Sequence, residues 1–416
     1  MKVVITAGGK GTRIREITEE IPKAMIPVAG KPVLEYQLEL AKRYGFTEFI
    51  FLIGHLGDQI EKYFGNGSKF GINIDYYHEI EPLGTAGAFK EIEHMLTEDF
   101  WVFYGDTVMD IDMLRMLDFH YRQKADATLF LHPNDHPYDS DLVDINENNR
   151  VTTFYSKPHD VQRFYRNLVN AALYILSPKI LDYIPKGKKT DFGKNIFPVA
   201  LKENVVIYGY VSPEYVKDMG TPERYNSVCN DITSGKVAHL NINNLRPAVF
   251  LDRDGVISKE VNLLAHTDQL ELLPGAAEAI KKVNKSDYLA VIVTNQPVIA
   301  RNLCTVEELQ QIHNKLETLL GREHAYVDAI YFCPHHPDKD YPEERKEFKI
   351  DCECRKPKPG MLFNAKRDLN INMPQSFMIG DREADAEAGR NAGVKQTFII
   401  TQNEPNALLN IIDKIL

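Results

Sequence analysis

Short apolar runs alternate with longer stretches of helical periodicity along the whole chain of 416 residues. Strands of parallel sheets are continuous apolar runs because helices cover both faces of the sheet. The pattern therefore predicts an α/β protein with mostly parallel sheets. The clearest strand candidates are Lys2–Ala7, Phe49–Ile53, Trp101–Tyr104, Ala127–Leu131, Ala171–Leu176, Ala248–Leu251, Leu289–Val293 and Phe377–Ile379.

One polar stretch rich in Asn, residues 233–247, interrupts this rhythm and ends in a proline just before a new apolar run. Such composition is typical of a connection between domains. The chain is also too long for one ordinary domain and suits two. We therefore expect a first domain at residues 1–235, a linker at 236–246 and a second domain at 247–416.

Composition and charge narrow the class of protein further. Hydrophobic residues make up 44% of the chain and charged residues 26%, as in ordinary globular proteins. The formal net charge of −10 gives no general footprint for nucleic acid, and no apolar run approaches the roughly 20 residues of a membrane span. The N-terminus enters a strand directly, so we expect no signal peptide. Five cysteines, an odd number, argue against a disulfide framework and favour a reducing cytoplasm.

A glycine-rich loop follows the first apolar run and contains Gly8, Gly9, Gly11, Thr12 and Arg13. Glycines let backbone N–H groups approach phosphate oxygens, and an arginine adds a charged fork. The spacing fits neither a Walker A loop nor a dinucleotide fingerprint. On its own, the loop could also be a tight turn from strand to helix.

Further segments follow this loop in a fixed order: Pro22–Val28, Glu81–Ala88, Gly105–Asp106, Lys157–Pro158, Asn170–Ala171 and Asp218–Pro222. Together they resemble the sugar-1-phosphate nucleotidyltransferases over residues 1–230. The resemblance implies a Rossmann-like domain with a mixed, mostly parallel sheet, which uses a nucleoside triphosphate, a sugar phosphate and Mg²⁺. Catalysis of such a transfer depends mainly on positioning and on cations, because charge builds up on phosphate oxygens.

The same resemblance implies a role for each matching residue. Asp106 and Asp218 would hold the magnesium. Lys23 and Arg13 would face the phosphates and act in catalysis, while Lys157 would hold the sugar phosphate and Asn170 the sugar. The residues expected at the nucleotide are Gly8, Gly9, Gly11, Thr12, Arg13, Lys23, Gly84 and Thr85.

The second half opens with an apolar run that delivers Asp252 and Asp254 to the carboxyl end of a strand, where active sites of open α/β sheets lie. Later segments agree in order: Thr294–Asn295, Arg355–Pro359, Gly380–Arg382 and Asp385. These residues resemble the haloacid-dehalogenase-type (HAD) phosphatases. The resemblance implies a HAD-like domain that carries out phosphoryl transfer through an aspartate.

Each of these residue types suits a step of that chemistry. Asp252 would be the nucleophile and Asp254 the general acid and base. Thr294 and Asn295 would hydrogen-bond the phosphoryl group, Lys356 would offset negative charge, and Arg355 would bind substrate. Magnesium would be held by Asp252, Asp254 through its backbone carbonyl, and Asp381.

Three cysteines and a histidine form a possible metal site just before Arg355. The pairs Cys333-x-His335 and Cys352-x-Cys354 are separated by sixteen residues. They offer a complete tetrahedral set for a structural zinc, with His336 as a rival ligand. The alternative is that they are simply reduced cysteines near the end of a strand. The loop resembles the zinc-containing phosphatases that act on heptose bisphosphate or histidinol phosphate.

Two phosphate-handling sites on one chain suggest two reactions that share a metabolite. The combination most resembles a heptose-1,7-bisphosphate 7-phosphatase joined to a heptose-1-phosphate guanylyltransferase. The partners would be small molecules, with neither nucleic acid nor membrane, and the chain could form a homo-oligomer. Two alternatives stay open: another sugar with UTP, dTTP, CTP or ATP as donor, and a non-catalytic ligand-binding regulatory protein.

Overall fold

The computed structural model describes residues 1–9, 14, 20–338 and 343–416, which form two compact units. The expected nucleotide-binding residues Gly11, Thr12 and Arg13 lie outside the described residues. Unit 1 comprises Met1–His132, Val143–Ser156 and Val169–Ile242; unit 2 comprises Pro133–Leu142, Lys157–Leu168 and Asn243–Leu416. No helix among the described residues is long and apolar enough to cross a membrane.

The first part of the chain alternates strands and helices as the apolar pattern predicted. The strands are β1 (Val3–Ala7), β2 (Pro27–Val28), β3 (Lys31–Pro32), β4 (Glu48–Ile53), β5 (Asn73–His78), β6 (Phe100–Tyr104), β7 (Thr107–Asp110), β8 (Ala127–His132), β9 (Leu142–Ile145), β10 (Val151–Tyr155), β11 (Val169–Leu176), β12 (Ile207–Val211) and β13 (Tyr215–Asp218). The α-helices are α1 (Val33–Arg43), α2 (Gly57–Phe64), α3 (Gly87–Glu91), α4 (Met113–Gln123), α5 (Phe197–Lys202), α6 (Pro222–Thr233) and α7 (Lys236–His239).

A mixed sheet runs through unit 1 in the order β10-β9-β11-β6-β1-β4-β5, with β8 and β12 joined to it through β11. The central strands β6, β1, β4 and β5 are parallel, whereas β11 runs antiparallel to β6. Because β1 and β6 are parallel neighbours, the loops that follow them leave the same edge of the sheet. That edge carries both Gly8 and Asp106.

Unit 2 contains a five-stranded parallel sheet in the order β16-β15-β14-β17-β18. Its strands are β14 (Ala248–Leu251), β15 (Leu289–Asn295), β16 (Ala329–Cys333), β17 (Phe377–Gly380) and β18 (Gln396–Ile399). The α-helices are α8 (Ala276–Lys285), α9 (Val306–Arg322), α10 (Gly360–Leu369), α11 (Glu383–Ala392) and α12 (Ala407–Ile415).

Alternate residues of β14 enter two different hydrophobic cores. Val249 and Leu251 join one buried cluster, and Ala248 and Phe250 join another on the opposite face of the sheet. Period-two alternation explains this division, and two covered faces explain why the whole strand is apolar. The predicted α/β architecture is confirmed.

Unit 2 also includes two segments from the first half of the chain, residues 133–142 and 157–168, which pack on α9. The Thr318 hydroxyl donates to the backbone oxygen of Tyr165 (3.1 Å) and accepts from its N–H (2.9 Å). Tyr138 Oη donates to the backbone oxygen of Thr318 (2.8 Å). A Cβ at Gly321 would lie 2.7 Å from Pro137 Cγ, so this close approach requires glycine.

Part of the segment predicted to be a linker is fixed to unit 1. Residues Lys236–His239 form α7. Beyond it, Asn241 Nδ2 donates to Asp110 Oδ1 (2.7 Å), and the N–H of Ile242 donates to Glu214 Oε1 (3.1 Å). The change from unit 1 to unit 2 falls after Ile242, and the domain limits at 235 and 247 stay a prediction.

Two candidate active sites and a candidate metal centre

Unit 1 contains a cavity of about 340 Å³ at the carboxyl ends of β1 and β6. Several residues predicted for nucleotide binding and catalysis line it together, on segments that are far apart in the sequence. Its described lining is Thr6, Ala7, Gly8, Gly9, Ile14, Lys23, Ala24, Glu79, Pro82, Gly84, Thr85, Tyr104, Gly105, Asp106, Lys189 and Gly220.

The two carboxylates predicted to hold magnesium come from neighbouring strand ends. Asp218 pairs with Thr107 where β13 runs antiparallel to β7, and the N–H of Met219 donates to the backbone oxygen of Asp106 (3.0 Å). Lys23 Nζ forms an ion pair with Asp106. The structure therefore joins Lys23, Asp106 and the Asp218 segment at one edge of the cavity.

Asp218 is kept ionised by its own partners. Arg224 NH1 lies 3.0 Å from Asp218 Oδ2, and the N–H of Gly220 donates to Asp218 Oδ1 (2.7 Å). Burial alone would raise the pKa of Asp218, but the guanidinium and the N–H outweigh it and the pKa is lowered. An ionised carboxylate is the form that a divalent cation requires.

The loop at Gly84 is fixed against residues 188–191. The N–H of Ala86 donates to the backbone oxygen of Thr190 (3.0 Å), and Thr85 Oγ1 donates to Asp191 Oδ2 (2.8 Å). Gly84 has a φ of +80°, and a Cβ there would collide with the backbone oxygen of Thr190. Glycine is thus required for backbone geometry, in addition to its expected place beside the nucleotide.

Two cavity residues escaped the sequence analysis. Glu79 accepts a hydrogen bond from the N–H of Leu83 (3.1 Å), and burial raises the pKa of its carboxyl group. Lys189 projects from the loop that clamps Gly84. Neither residue stands in a motif, so only the folded chain reveals their position.

The residues predicted to bind the sugar phosphate and the sugar, Lys157 and Asn170, do not line this cavity in the described structure. Lys157 belongs to unit 2, where Nζ lies 3.3 Å from Asp139 Oδ1. Asn170 lies on β11 and accepts a hydrogen bond from the N–H of Ala172 (3.3 Å). Their proposed contacts with the sugar phosphate and the sugar stay predictions.

The site in unit 2 centres on a buried lysine between two aspartates. Lys356 Nζ lies 2.8 Å from Asp252 Oδ1 and 2.5 Å from Asp385 Oδ1. Burial would lower the pKa of Lys356, but the two carboxylates outweigh it and raise the pKa, so the cation persists. Asp252 follows β14 and Asp385 lies in the first turn of α11, so adjacent parallel strands bring them together.

Three carboxylates at this point could hold a metal ion. Ligand atoms of Asp252, Asp381 and Asp385 all lie within 4.8 Å of one another. Oxygen Oδ1 of Asp381 is buried and has no hydrogen-bond partner among the described residues. Hard oxygen donors with an unsatisfied buried atom suit Mg²⁺. Asp385 joins the two carboxylates predicted for this cluster, and the contribution of the Asp254 backbone carbonyl stays a prediction.

The Asp254 carboxylate is instead held by a buried polar network. Arg253, whose side chain is fully buried, donates to both of its oxygens (2.9 and 2.6 Å). Gln296 Nε2 donates to Asp254 Oδ2 and to Thr294 Oγ1, each at 2.9 Å. Burial would raise the pKa of Asp254, but these partners lower it. The network fixes the predicted acid and base and joins it to Thr294.

The Asn295 side chain clamps the backbone of Lys356. Its Nδ2 donates to the backbone oxygen of Lys356 (3.0 Å), and its Oδ1 accepts from the N–H of Lys356 (3.0 Å). These bonds favour a role in placing the lysine. Direct contact of Asn295 or Thr294 with a phosphoryl group stays a prediction.

Cys333, His335, Cys352 and Cys354 meet at the end of β16 and could hold one metal ion. The Sγ of Cys354 lies 3.2 Å from Cys333 Sγ, 3.1 Å from Cys352 Sγ and 3.3 Å from His335 Nδ1. Ligand atoms about 2.3 Å from a central ion would be separated by roughly 3.8 Å. The set therefore needs only a small expansion to become a tetrahedron.

The electrostatics of this cluster favour a thiolate. Hydrogen bonds from neighbouring thiols, chiefly that of Cys333, lower the pKa of Cys354 to about 5. Arg355 NH1 donates to the backbone oxygen of His335 (3.0 Å). The cluster is therefore attached to the loop that supplies both Arg355 and Lys356.

Replacing His313 with glutamine should make the protein less sensitive to acid. His313 Nε2 lies 3.2 Å from Arg253 NH1, and burial, together with the Arg253 charge, lowers the pKa of His313 from 6.5 to about 3. Between these values the unfolded chain binds a proton that the folded chain does not. The free energy of unfolding therefore falls on acidification by up to about 1.4 kcal/mol per pH unit.

Glutamine keeps an acceptor for Arg253 but does not titrate. The excess stability of the wild type over the variant should therefore shrink between about pH 6 and pH 4. Urea unfolding of both proteins across this range measures the difference. Parallel curves would show that His313 is not held neutral in the folded state.

Comparisons with known families agree with the geometry of both units. The nucleotidyl transferase family matches residues 2–235, and the HAD-hydrolase-like family matches residues 353–410. The first match covers more than half of the chain, and it includes the whole described cavity of unit 1.

Curated relatives fall into two groups. A UTP–glucose-1-phosphate uridylyltransferase of Synechocystis sp. is 31% identical over 65% of this chain and 72% of its own length. A mannose-1-phosphate guanylyltransferase of Mycobacterium tuberculosis is 35% identical over 56% of this chain, which spans 64% of that protein. A D-glycero-beta-D-manno-heptose-1,7-bisphosphate 7-phosphatase of Pasteurella multocida is 37% identical over 39% of this chain and 85% of its own length.

Proposed function

Because this enzyme belongs to the nucleotidyl transferase family and also carries a HAD-type phosphatase, we propose that it makes a nucleotide-activated heptose in two steps. The first step removes the 7-phosphate of D-glycero-D-manno-heptose 1,7-bisphosphate. The second joins heptose 1-phosphate to the guanylyl group of GTP and releases pyrophosphate. The observation that carries the proposal is that this chain covers 85% of a heptose-bisphosphate phosphatase relative and also contains a nucleotidyl transferase domain.

In the phosphatase step, Asp252 attacks the phosphorus of the 7-phosphate and forms an aspartyl-phosphate. Asp254, held by Arg253 and Gln296, would take up a proton as the negatively charged substrate approaches, because neighbouring negative charge favours the protonated carboxyl group. It would pass this proton to the leaving sugar oxygen and, as the carboxylate, then take a proton from the water that releases phosphate. The Lys356 ammonium group offsets the negative charge of the carboxylates and of the phosphoryl oxygens. A magnesium ion held by Asp252, Asp381 and Asp385, with the Asp254 backbone carbonyl, would further neutralise the transferring group.

In the transferase step, an oxygen of the sugar 1-phosphate attacks the α-phosphorus of the nucleotide. Lys23 stands at the cavity edge beside Asp106 and can stabilise the charge on the α-phosphate. Gly8, Gly9, Gly84 and Thr85 line the same space and would enclose the nucleotide. A magnesium ion held by Asp106 and Asp218 would balance charge on the phosphates.

The guanine base, the heptose and the cytoplasmic location are parts of this proposal. One relative is a guanylyltransferase and another a uridylyltransferase, so the donor could be UTP. The free state of the five cysteines supports a reducing compartment. Formation of a homo-oligomer stays a prediction.

We expect one tightly bound zinc ion per chain, held by Cys333, His335, Cys352 and Cys354. A fourth protein ligand leaves no open position, so the role would be structural. Elemental analysis of protein purified without added metal should give a zinc content near one. Cys354→Ser should abolish it and Cys229→Ser should leave it unchanged; wild-type protein without zinc would contradict the assignment.

A product assay tests the proposed function. Heptose, mannose and glucose phosphates are each supplied with GTP, UTP, dTTP, CTP or ATP and Mg²⁺, and released phosphate and pyrophosphate are measured. The highest kcat/KM is expected for heptose 1,7-bisphosphate in the first reaction and for heptose 1-phosphate with GTP in the second. Absence of turnover with every substrate would favour a non-catalytic ligand-binding protein.

A further inference from the structure

Asp381 presents one carboxylate oxygen to the predicted cation site while the other is engaged. It directly follows β17, and its side chain is only 1% exposed. Oxygen Oδ2 accepts a 2.6 Å hydrogen bond from Gln402 Nε2. Oxygen Oδ1 is buried and has no hydrogen-bond partner among the residues that the structure describes. Gln402 thus determines which oxygen of Asp381 remains available.

The backbone around Gln402 is tied to the loop that follows Asp252. The N–H of Asn403 donates to the backbone oxygen of Gly255 (3.1 Å). The Asn403 side chain accepts from the N–H of Glu260 (2.7 Å) and donates to its backbone oxygen (3.2 Å). The Gln402 side chain therefore projects from a fixed position.

Gly255 shows how closely these groups approach. A Cβ there would lie 2.6 Å from Asp381 Oδ2 and 3.0 Å from Gln402 Cγ, and the φ of +81° already favours glycine. The glycine after Asp254 thus makes room for the bond between Gln402 and Asp381. Packing, as well as the positive φ of the turn, therefore favours glycine at position 255.

A neutral donor suits this place better than a cation. Arg382 lies farther away, with Nε 3.8 Å from Asp381 Oδ2, and is 64% exposed. A glutamine amide orients the carboxylate without adding a positive charge that would repel a divalent cation.

We propose that Gln402 is a positioning residue for the divalent cation of the phosphatase: it holds Asp381 so that Oδ1 faces Asp252 and Asp385. The inference rests on the proposed phosphatase function. It predicts that loss of the amide weakens cation binding while the reacting groups Asp252 and Asp254 stay in place.

The experiment is a titration of the full-length protein with Mn²⁺, followed by electron paramagnetic resonance, with Mg²⁺ as competitor. The Asp106→Ala background removes the transferase cation site from the signal. Gln402→Leu and Gln402→Asn should each weaken binding at the phosphatase site about 10- to 100-fold. The apparent KM for Mg²⁺ in phosphate release should rise equally, whereas kcat at saturating Mg²⁺ should stay near that of the wild type.

Gln375→Leu is the matched control, because Gln375 is exposed and lies just before β17, at the end opposite Asp381. It should leave cation affinity unchanged. Unchanged affinity in both Gln402 variants, or a lower kcat with unchanged affinity, would overturn the inference. Asp381→Asn distinguishes failure of the Gln402 inference from failure of the proposed cation site. If this variant too leaves Mn²⁺ binding intact, the proposed cation site itself is wrong and the inference fails with it.

Discussion

Asp252→Asn should abolish phosphate release and leave nucleotidyl transfer from a supplied sugar 1-phosphate intact. The substitution removes the attacking carboxylate but keeps its shape beside Lys356, which lies 2.8 Å away. We expect the phosphatase kcat to fall on the order of 10⁴-fold or more, as when a catalytic nucleophile is lost. Phosphate release from the bisphosphate and pyrophosphate release from sugar 1-phosphate with GTP measure the two activities in one preparation.

Asp268→Asn is a suitable control, because Asp268 is an exposed aspartate of the same unit. It should retain both activities. Loss of both activities in a folded Asp252→Asn protein would show that the two sites depend on each other, contrary to the separate sets of residues described here.

Asp106→Ala should have the converse effect. It removes the carboxylate that pairs with Lys23 at the cavity edge and that we propose as a magnesium ligand. Loss of such an electrostatic group should lower nucleotidyl transfer on the order of 10²- to 10³-fold. Pyrophosphate release at saturating substrates measures the change, while phosphate release should equal that of the wild type.

The control for this variant is Asp75→Ala, which removes an exposed carboxylate on β5. Its transferase activity should stay unchanged. If Asp106→Ala retained full transfer, the proposed magnesium site in unit 1 would be wrong.

Local sequence predicted the eight most apolar strand candidates because apolar runs report burial directly. The candidate Ala248–Leu251 matches β14, and Phe377–Ile379 matches all but the last residue of β17. The place of residues 133–142 and 157–168 could not be predicted in this way. It depends on tertiary contacts such as that between Thr318 and Tyr165, and no local pattern encodes them.

The residues of the candidate sites also fall into those that local motifs predict and those that only spatial contacts reveal. Motifs pointed to Asp252, Lys356 and Asp381, and the structure brings these residues together because each follows a strand or loop that ends at the same edge of the sheet. The partners His313, which is buried, and Gln402 escaped notice because their task depends on spatial contact alone. Asp385 carried a usable signal: it stands four residues after Asp381, in the first turn of a helix.

The most direct test of the two-step proposal follows every phosphorus atom in one reaction. The wild-type chain is mixed with heptose 1,7-bisphosphate, GTP and Mg²⁺, and the mixture is monitored by ³¹P nuclear magnetic resonance. The proposal predicts transient heptose 1-phosphate, followed by GDP-heptose, with orthophosphate and pyrophosphate formed in equal amounts. Accumulation of heptose 7-phosphate or free heptose without any nucleotide sugar would contradict it.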